Sequence, residues 1–149
     1  MVQRILAPFD ESPQSNAALH HALSTFPNAD IHVLHVTDPR EWSSMNMDGG
    51  FYSQEMYDQA QESATALLEQ AESIADEYGT TVTTAMRDGR AADAIVKYAE
   101  EHDVDHVVLG SHGRRGLSRF LLGSVAERVA RRSPGSVTII REKEPKHGD

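Results

Sequence analysis

The residues best suited to chemistry lie in one glycine-rich stretch in the last third of the chain. Gly110 and Gly113 have no Cβ, so the backbone can turn sharply there and a ligand can approach it closely. Gly123 and Ser124 open a short helical pattern, where free N–H groups and the positive end of the helix dipole favour anions. Arg114 and the Ser124 hydroxyl add hydrogen-bond donors. This combination is suited to phosphate groups.

Several catalytic motifs are absent from this stretch. The sequence contains no Gly-Lys-Ser/Thr, no G-x-G-x-x-G and no G-x-S-x-G. Ser111 and His112 are adjacent, and neighbours in sequence rarely place a hydroxyl and an imidazole in hydrogen-bond geometry. We see no oriented third member of a triad, so nucleophilic catalysis is not predicted.

Metal-binding patterns are equally weak. The chain has no Cys, which excludes thiolate zinc sites and disulfides. His20 and His21 are adjacent on a predicted helix, and His32 and His35 are three apart on a predicted strand, so neither pair shares a face. The metal that phosphate chemistry favours is Mg²⁺, which prefers phosphate oxygens as ligands.

Length and charge narrow the class of protein. The 149 residues suit one domain, and the formal net charge of -9 argues against nucleic-acid binding, which needs clustered Lys and Arg. No apolar run approaches the roughly 18 residues of a membrane span, and the first residues do not form a signal peptide. We therefore expect a cytoplasmic protein without a membrane partner. The acidic, Lys-poor composition is compatible with salt adaptation and equally with sequence drift.

Strand and helix patterns alternate along the whole chain. Ser12 is a candidate N-cap, Pro13 occupies the first helical position, and Gly79 ends a long amphipathic pattern. The predicted strands cover residues 2–8, 31–36, 80–86, 106–109 and 136–141, and the predicted helices cover 13–26, 54–78, 91–102 and 123–132.

This alternation predicts an α/β fold, a doubly wound parallel sheet with helices on both faces. In such folds, ligands bind beyond the carboxyl ends of the strands where the strand order reverses. The segments after the first and fourth strands, near Asp10 and Gly110, are therefore the predicted site.

The spacing Gly110-x2-Gly113-x9-Gly123-Ser124 resembles the signature of the universal stress protein family, in its ATP-binding branch. Residues 5–10, 34–36 and 136–141 resemble the first, second and last strands of that family. The resemblance covers residues 1–141, which we treat as one nucleotide-binding domain, and leaves a polar tail at 142–149. It implies a five-stranded sheet in the order 3-2-1-4-5. One departure is Gly89-Arg90-Ala91, where the family often has a proline at the third position.

The resemblance also implies roles for individual residues. Asp10 and Val36 would meet an adenine base, and Pro8 and Phe9 would form the wall of its pocket. Gly110 would lie near the ribose. The donors implied for the phosphates are Gly113, Gly123, Ser124 and Val125, and His112 falls inside the motif without a definite role. Arg114, Arg115 and Arg119 are local cations, for which a solvated surface is the alternative.

The sequence also predicts a role for two further segments, one in dimer formation and one as a lid. The last strand, Ser136 to Arg141, would leave unpaired amides at a sheet edge, and pairing with a second copy would form a homodimer. The alternative is coverage by a helix or by the tail. The loop at 38–53, which contains Trp42 and Phe51, is a candidate lid over the nucleotide.

Three functions are compatible with these observations. The first is a regulatory protein that binds ATP or another adenine nucleotide with Mg²⁺ and hydrolyses it slowly at most, because no general base is evident. The second is a dimeric stress-response scaffold without nucleotide, in which the glycines serve packing. The third is an enzyme that adenylates a small substrate, which residues 8–12 do not support.

Overall fold

A computed structural model describes residues 2–39, 54–111 and 122–141 of the chain. Five strands and four helices alternate within these ranges, as the sequence predicted. The strands are β1 (Arg4–Pro8), β2 (Asp30–Thr37), β3 (Thr83–Asp88), β4 (His106–Gly110) and β5 (Ser136–Ile140). The helices are α1 (Pro13–Thr25), α2 (Gln54–Glu77), α3 (Ala91–Glu101) and α4 (Ser124–Arg132).

The strands form one parallel sheet in the order β3-β2-β1-β4-β5, which confirms the predicted fold. Strand β1 is central, and its residue Ile5 lies opposite Ile31 of β2 on one side and His106 of β4 on the other. The carboxyl ends of all five strands therefore meet at one edge of the sheet, and the order reverses between β1 and β4.

Alternate side chains of the central strands enter two separate cores. Ile5 and Ala7 of β1 are fully buried against α1 and α2. Leu6, between them, is fully buried on the opposite face of the sheet against α3 and α4. This period of two explains the continuous apolar runs in the sequence, because a sheet covered on both faces buries every position of its central strands.

The predicted ends of α1 and α2 are present with their expected chemistry. The Ser12 Oγ accepts a hydrogen bond from the Ser15 N–H at 3.1 Å, and Pro13 occupies the first turn. At the end of α2, Gly79 adopts a φ of 69°, where a residue with a Cβ is disfavoured. The N–H groups of Gly79 and Thr80 bond back to the carbonyls of Asp76 and Ala75, which forms a Schellman motif.

Strand β3 is displaced from its predicted position. The threonines at 80–81 favoured a strand from residue 80, whereas β3 covers Thr83–Asp88. The Schellman motif uses Thr80 to close α2, so the chain needs two more residues to reach the sheet. The carboxyl end of β3 extends beyond its predicted limit. This is because β2 remains available for pairing up to Thr37, which lies opposite Asp88.

At the amino ends of the strands, one side chain joins three segments. The Arg4 Nε lies 3.0 Å from an Asp30 carboxylate oxygen, and its guanidinium also donates to the His102 carbonyl. The Arg4 backbone N–H donates to the Asp105 carboxylate at 2.8 Å. Strand β1 is thereby fixed to the start of β2 and to the turn between α3 and β4.

The described ranges contain neither a candidate membrane-spanning helix nor a candidate metal-binding cluster. No helix there is both long and apolar enough to cross a bilayer. The same residues contain no group of three or more His, Asp or Glu side chains that could hold a metal ion.

Candidate functional site

The predicted site lies where β1, β2 and β4 end side by side. Phe9, just beyond β1, is buried, and its N–H donates to the Leu34 carbonyl at 2.9 Å. The His35 Nδ1–H donates to the Phe9 carbonyl at 2.9 Å, and this imidazole is also buried. The ends of β1 and β2 are therefore held together by both backbone and side-chain hydrogen bonds at the floor of the predicted site.

Asp10 is half-buried at this edge and shapes the turn into α1. Its carboxylate accepts the Ser12 N–H at 3.0 Å, and its own N–H donates to the Ser15 Oγ at 3.2 Å. Between them, Glu11 adopts a φ of 68°, which the surrounding hydrogen bonds stabilise. Asp10 therefore belongs to the turn after β1, and these hydrogen bonds fix its carboxylate beside the end of that strand.

Gly110 closes β4 at a place where α1 leaves no room for a side chain. A Cβ at Gly110 would lie 2.7 Å from both the Gln14 carbonyl carbon and the Gln14 Cβ, and 2.9 Å from the Ser15 nitrogen. Real Cβ atoms do not make such contacts, so the first turn of α1 can approach β4 only because residue 110 is glycine. This packing requirement places the start of α1 at the β1–β4 junction.

The two ends of the glycine-rich stretch meet at Ser111. The buried Ser111 N–H donates to the Ile140 carbonyl of β5, and the Ser111 carbonyl accepts the Gly123 N–H, both at 2.9 Å. Ser111 and Gly123 are therefore held next to each other beside the ends of β4 and β5. Because Gly123 immediately precedes α4, this contact places the start of that helix at the carboxyl edge of the sheet.

Helix α4 begins without a side-chain cap among the described residues. Gly123 is the N-cap, with extended backbone angles of φ -64° and ψ 152°. Ser124 and Val125 follow in the first turn, and both are exposed. Within the described ranges these first-turn N–H groups have no intrahelical partner and no capping side chain, so they are suitable for binding an anion.

The opposite side of the site is formed by the ends of β2 and β3. Val36 is half-buried and packs against the core shared with α3 and α4, and Thr37 is buried. The Thr37 carbonyl accepts the Gly89 N–H at 2.9 Å, and Gly89 has a φ of 133°. This conformation favours glycine and turns the chain directly into α3, so the departure from the proline pattern at residue 91 leaves that turn intact.

The structure brings together most of the residues predicted from the sequence. Those at the carboxyl edge are Pro8, Phe9, Asp10, Val36, Gly110, Gly123, Ser124 and Val125. The rest of the prediction lies outside the described ranges: His112, Gly113 and Arg114, the further cations Arg115 and Arg119, and most of the candidate lid. Sequence reasoning missed the contact of His35 with Phe9 and the contact of Gly110 with α1, because both depend on side chains from distant segments.

These features define a doubly wound α/β domain with a glycine-capped helix at its topological switch point. A family model described as "Universal stress protein family" matches residues 1–141, and the chain belongs to this family.

Individual relatives agree with this assignment. Universal stress protein MJ0531 of Methanocaldococcus jannaschii is 31% identical over 146 residues, covering 95% of this chain and 84% of that protein. A solved structure of MJ0577, from the same organism, has a TM-score of 0.81 at 31% identity and covers 97% of this chain and 99% of its own. A universal stress protein solved in complex with cAMP has a TM-score of 0.65 at 26% identity, covering 95% and 98%.

Proposed function

We propose that this protein binds an adenine nucleotide at the carboxyl edge of its sheet and works as a regulatory binding protein of the stress response. The observation that carries the proposal is the start of α4. Among the described residues no side chain caps its first turn, and the hydrogen bond between Gly123 and Ser111 holds it beside the ends of β4 and β5. Both the fold and the helix dipole favour a phosphate-bearing ligand there.

The proposed ligand is ATP or another adenine nucleotide, with Mg²⁺ on its phosphates. The phosphates would bind at Gly113, Gly123, Ser124 and Val125, with Arg114 close by. The base would lie toward Asp10 and Val36, against Pro8 and Phe9, with the ribose near Gly110. The complex of a relative with cAMP supports an adenine nucleotide as the ligand class. Hydrolysis is slow at most in this proposal, because the described residues include no oriented general base.

The first test is the identity of any small molecule that the purified protein carries. Mass spectrometry after denaturing extraction is expected to find a stoichiometric adenine nucleotide, or calorimetry with the empty protein is expected to show binding of ATP with Mg²⁺. A protein that is empty and also gives no heat with ATP and Mg²⁺ would support the alternative, a dimeric scaffold that binds no nucleotide.

Ser124→Asp separates phosphate binding from the stability of the fold. A carboxylate in the first turn of α4 favours the helix through its dipole, so the free energy of unfolding should stay the same or rise slightly. The same charge repels phosphate, so affinity for ATP should fall by about tenfold or more, since 1.4 kcal/mol corresponds to a factor of ten. Ser63→Asp, at an exposed position of α2, is the matched control and should leave ATP binding unchanged.

We also propose that β5 forms a homodimer interface. β5 pairs only with β4 among the described strands, and its residues from Val137 to Ile140 are half-buried rather than buried. Pairing with β5 of a second copy would satisfy edge amides and bury apolar surface. Sedimentation should give twice the chain mass, and Ile139→Lys should give a monomer. A cooperative thermal transition in that variant would show that the chain still folds.

A further inference from the structure

Helix α2 has an acidic stripe on its exposed side. The helix carries seven carboxylates and no Lys or Arg. Six of them fall within a sector of about 100° at 100° per residue, along about 32 Å of helix, and all six are exposed. We call these six residues the acidic stripe: Glu55, Asp58, Glu62, Glu69, Glu72 and Asp76. The buried residues of α2 lie on the other side of the helix, against the sheet.

The acidic stripe is unfavourable for an isolated helix. Glu55 with Asp58 and Glu69 with Glu72 are like charges three residues apart, and Glu72 with Asp76 are four apart. Such pairs destabilise a helix, and here no cation of α2 itself relieves the repulsion. A cationic surface placed along the stripe would remove this cost.

A cluster of cations lies between α3 and α4. The Arg132 guanidinium is 2.6 Å from an Asp93 carboxylate oxygen, and both side chains are 52% exposed. The hydrogen bond from Arg132 is the main cause that lowers the pKa of Asp93, and the positive charges of Arg132, Arg128 and Arg90 act in the same direction. Arg128 precedes Arg132 by one turn of α4, and Arg90 is the N-cap of α3, three residues before Asp93. We call Arg90, Arg128 and Arg132 the arginine cluster.

The other charges near this cluster do not neutralise it. Arg131 is paired with Glu127 of its own helix at 3.3 Å, so these two charges cancel. Lys97, one turn after Asp93 on α3, has Glu100 and Glu101 within its own next turn and adds no net charge, so the excess comes from three arginines against the one carboxylate of Asp93. The cluster therefore keeps excess positive charge on a chain whose net charge is -9.

The acidic stripe and the arginine cluster lie on opposite faces of the sheet. Helix α2 packs on the core that contains Ile5, whereas α3 and α4 pack on the core that contains Leu6. The two surfaces cannot meet within one molecule, but each is available to the complementary surface of another. From this charge complementarity we infer that the arginine cluster of one copy binds the acidic stripe of a second copy.

This contact differs from the proposed β5 dimer. It joins two different surfaces, so it is heterologous and extends into rings or linear chains of molecules rather than closing as a pair. Exposed ion pairs are individually weak and are screened by salt, so the association should be strong only at low ionic strength. Pairing through β5 relies on backbone hydrogen bonds and apolar contacts, so it should resist salt.

Sedimentation of the full chain at two ionic strengths tests the inference. At about 10 mM salt, where the Debye length is about 30 Å, the weight-average mass should rise about twofold or more with protein concentration above its value at about 0.3 M salt. Arg90→Glu with Arg128→Glu should abolish this rise and leave the Arg132–Asp93 ion pair intact. Lys143→Glu with Lys146→Glu makes the same change in net charge in the polar tail and should preserve the rise.

A charge exchange makes the test specific. Glu69→Lys with Glu72→Lys should also abolish association, because it places cations opposite the arginine cluster. A mixture of this variant with Arg90→Glu/Arg128→Glu should associate again at low salt. The first variant retains the arginine cluster and the second retains the acidic stripe, so the two can bind each other. A wild-type mass that is independent of salt, or a mixture that stays dissociated, would overturn the inference. So would a wild type that binds polyglutamate but not itself, because the occupant would then be a different acidic chain.

Discussion

At the scale of single residues, a buried tyrosine and a buried histidine satisfy each other. Tyr98 is 2% exposed and His32 is 8% exposed, and the Tyr98 hydroxyl lies 2.6 Å from the His32 Nδ1. Burial raises the pKa of Tyr98, so the phenol stays protonated and can donate to the imidazole. His102 stacks on the Tyr98 ring at a centroid distance of 3.8 Å, and the Arg87 guanidinium lies 5.1 Å from the centroid of that ring.

Tyr98→Phe should destabilise the protein, because it leaves the buried His32 nitrogen without its partner. The expected loss in the free energy of unfolding is about 1–3 kcal/mol, measured by urea denaturation. Tyr78→Phe is a matched control, because Tyr78 bonds to the His20 Nδ1 at 2.7 Å but is 40% exposed, so water can replace it. Its effect should stay within about 0.5 kcal/mol. Equal losses in both variants would show that burial is not the cause.

Gly110→Ala should destabilise the protein by about 1–3 kcal/mol, because overpacking forces the backbone of α1 to move. The new Cβ would meet the Gln14 carbonyl carbon at 2.7 Å, and that atom belongs to the backbone, not to a flexible side chain. Gly79→Asn provides the comparison, since a Cβ there meets nothing within 4 Å and Asn tolerates a positive φ. Chemical denaturation should rank Gly110→Ala as clearly the less stable of the two.

At the scale of elements, His106 makes the stability of the pairing between β4 and β5 depend on pH. The His106 Nε2 lies 2.6 Å from the Thr138 Oγ1 of β5, and the His106 ring makes an edge contact with Phe26. Burial is the main cause that lowers the pKa of His106, and the charge of His21 lowers it further. The folded protein therefore resists protonation at this position more than the unfolded chain does.

The contribution of His106 to stability should be fully present above the unfolded pKa of about 6.5 and should fall as the pH drops from there toward the lowered folded pKa. The unfolded chain takes up the proton first in that window, which favours unfolding. His106→Gln keeps a polar side chain but cannot titrate. The stability of the wild type minus that of the variant should therefore decrease between pH 7.5 and pH 5. A difference that is constant with pH would contradict this assignment.

The elements themselves were largely predictable from local patterns. The Ser12–Pro13 start of α1 and the Gly79 end of α2 have chemistry that is complete within a few residues, so the sequence located both. Strand β3 was misplaced because β-branched Thr80 favours a strand, whereas its N–H is used to close α2. The extent of β3 depends on how far β2 continues beside it, which no local pattern contains.

At the scale of the whole molecule, the strand order came from the resemblance to a family, whereas the location of the candidate site was predicted from the topology. Alternating strands and helices placed Asp10 and Gly110 at the same edge, because parallel strands end together. The tight approach of α1 to Gly110 and the hydrogen bond between His35 and Phe9 were not predictable. They arise where segments more than 25 residues apart in sequence come into contact, and one sequence does not indicate such pairs.

The central position of β1 has a consequence for synthesis of the chain on the ribosome. β1 is made first, β2 follows within about 30 residues, and its other neighbour, β4, starts only at His106. The Arg4 contacts with His102 and Asp105 are equally late. At about 5–20 residues per second, one edge of β1 stays without its partner for roughly 5–20 s. During those seconds the apolar residues of β1 are open to other nascent chains, so we expect this interval, rather than the finished fold, to be the stage at which the protein depends most on chaperones.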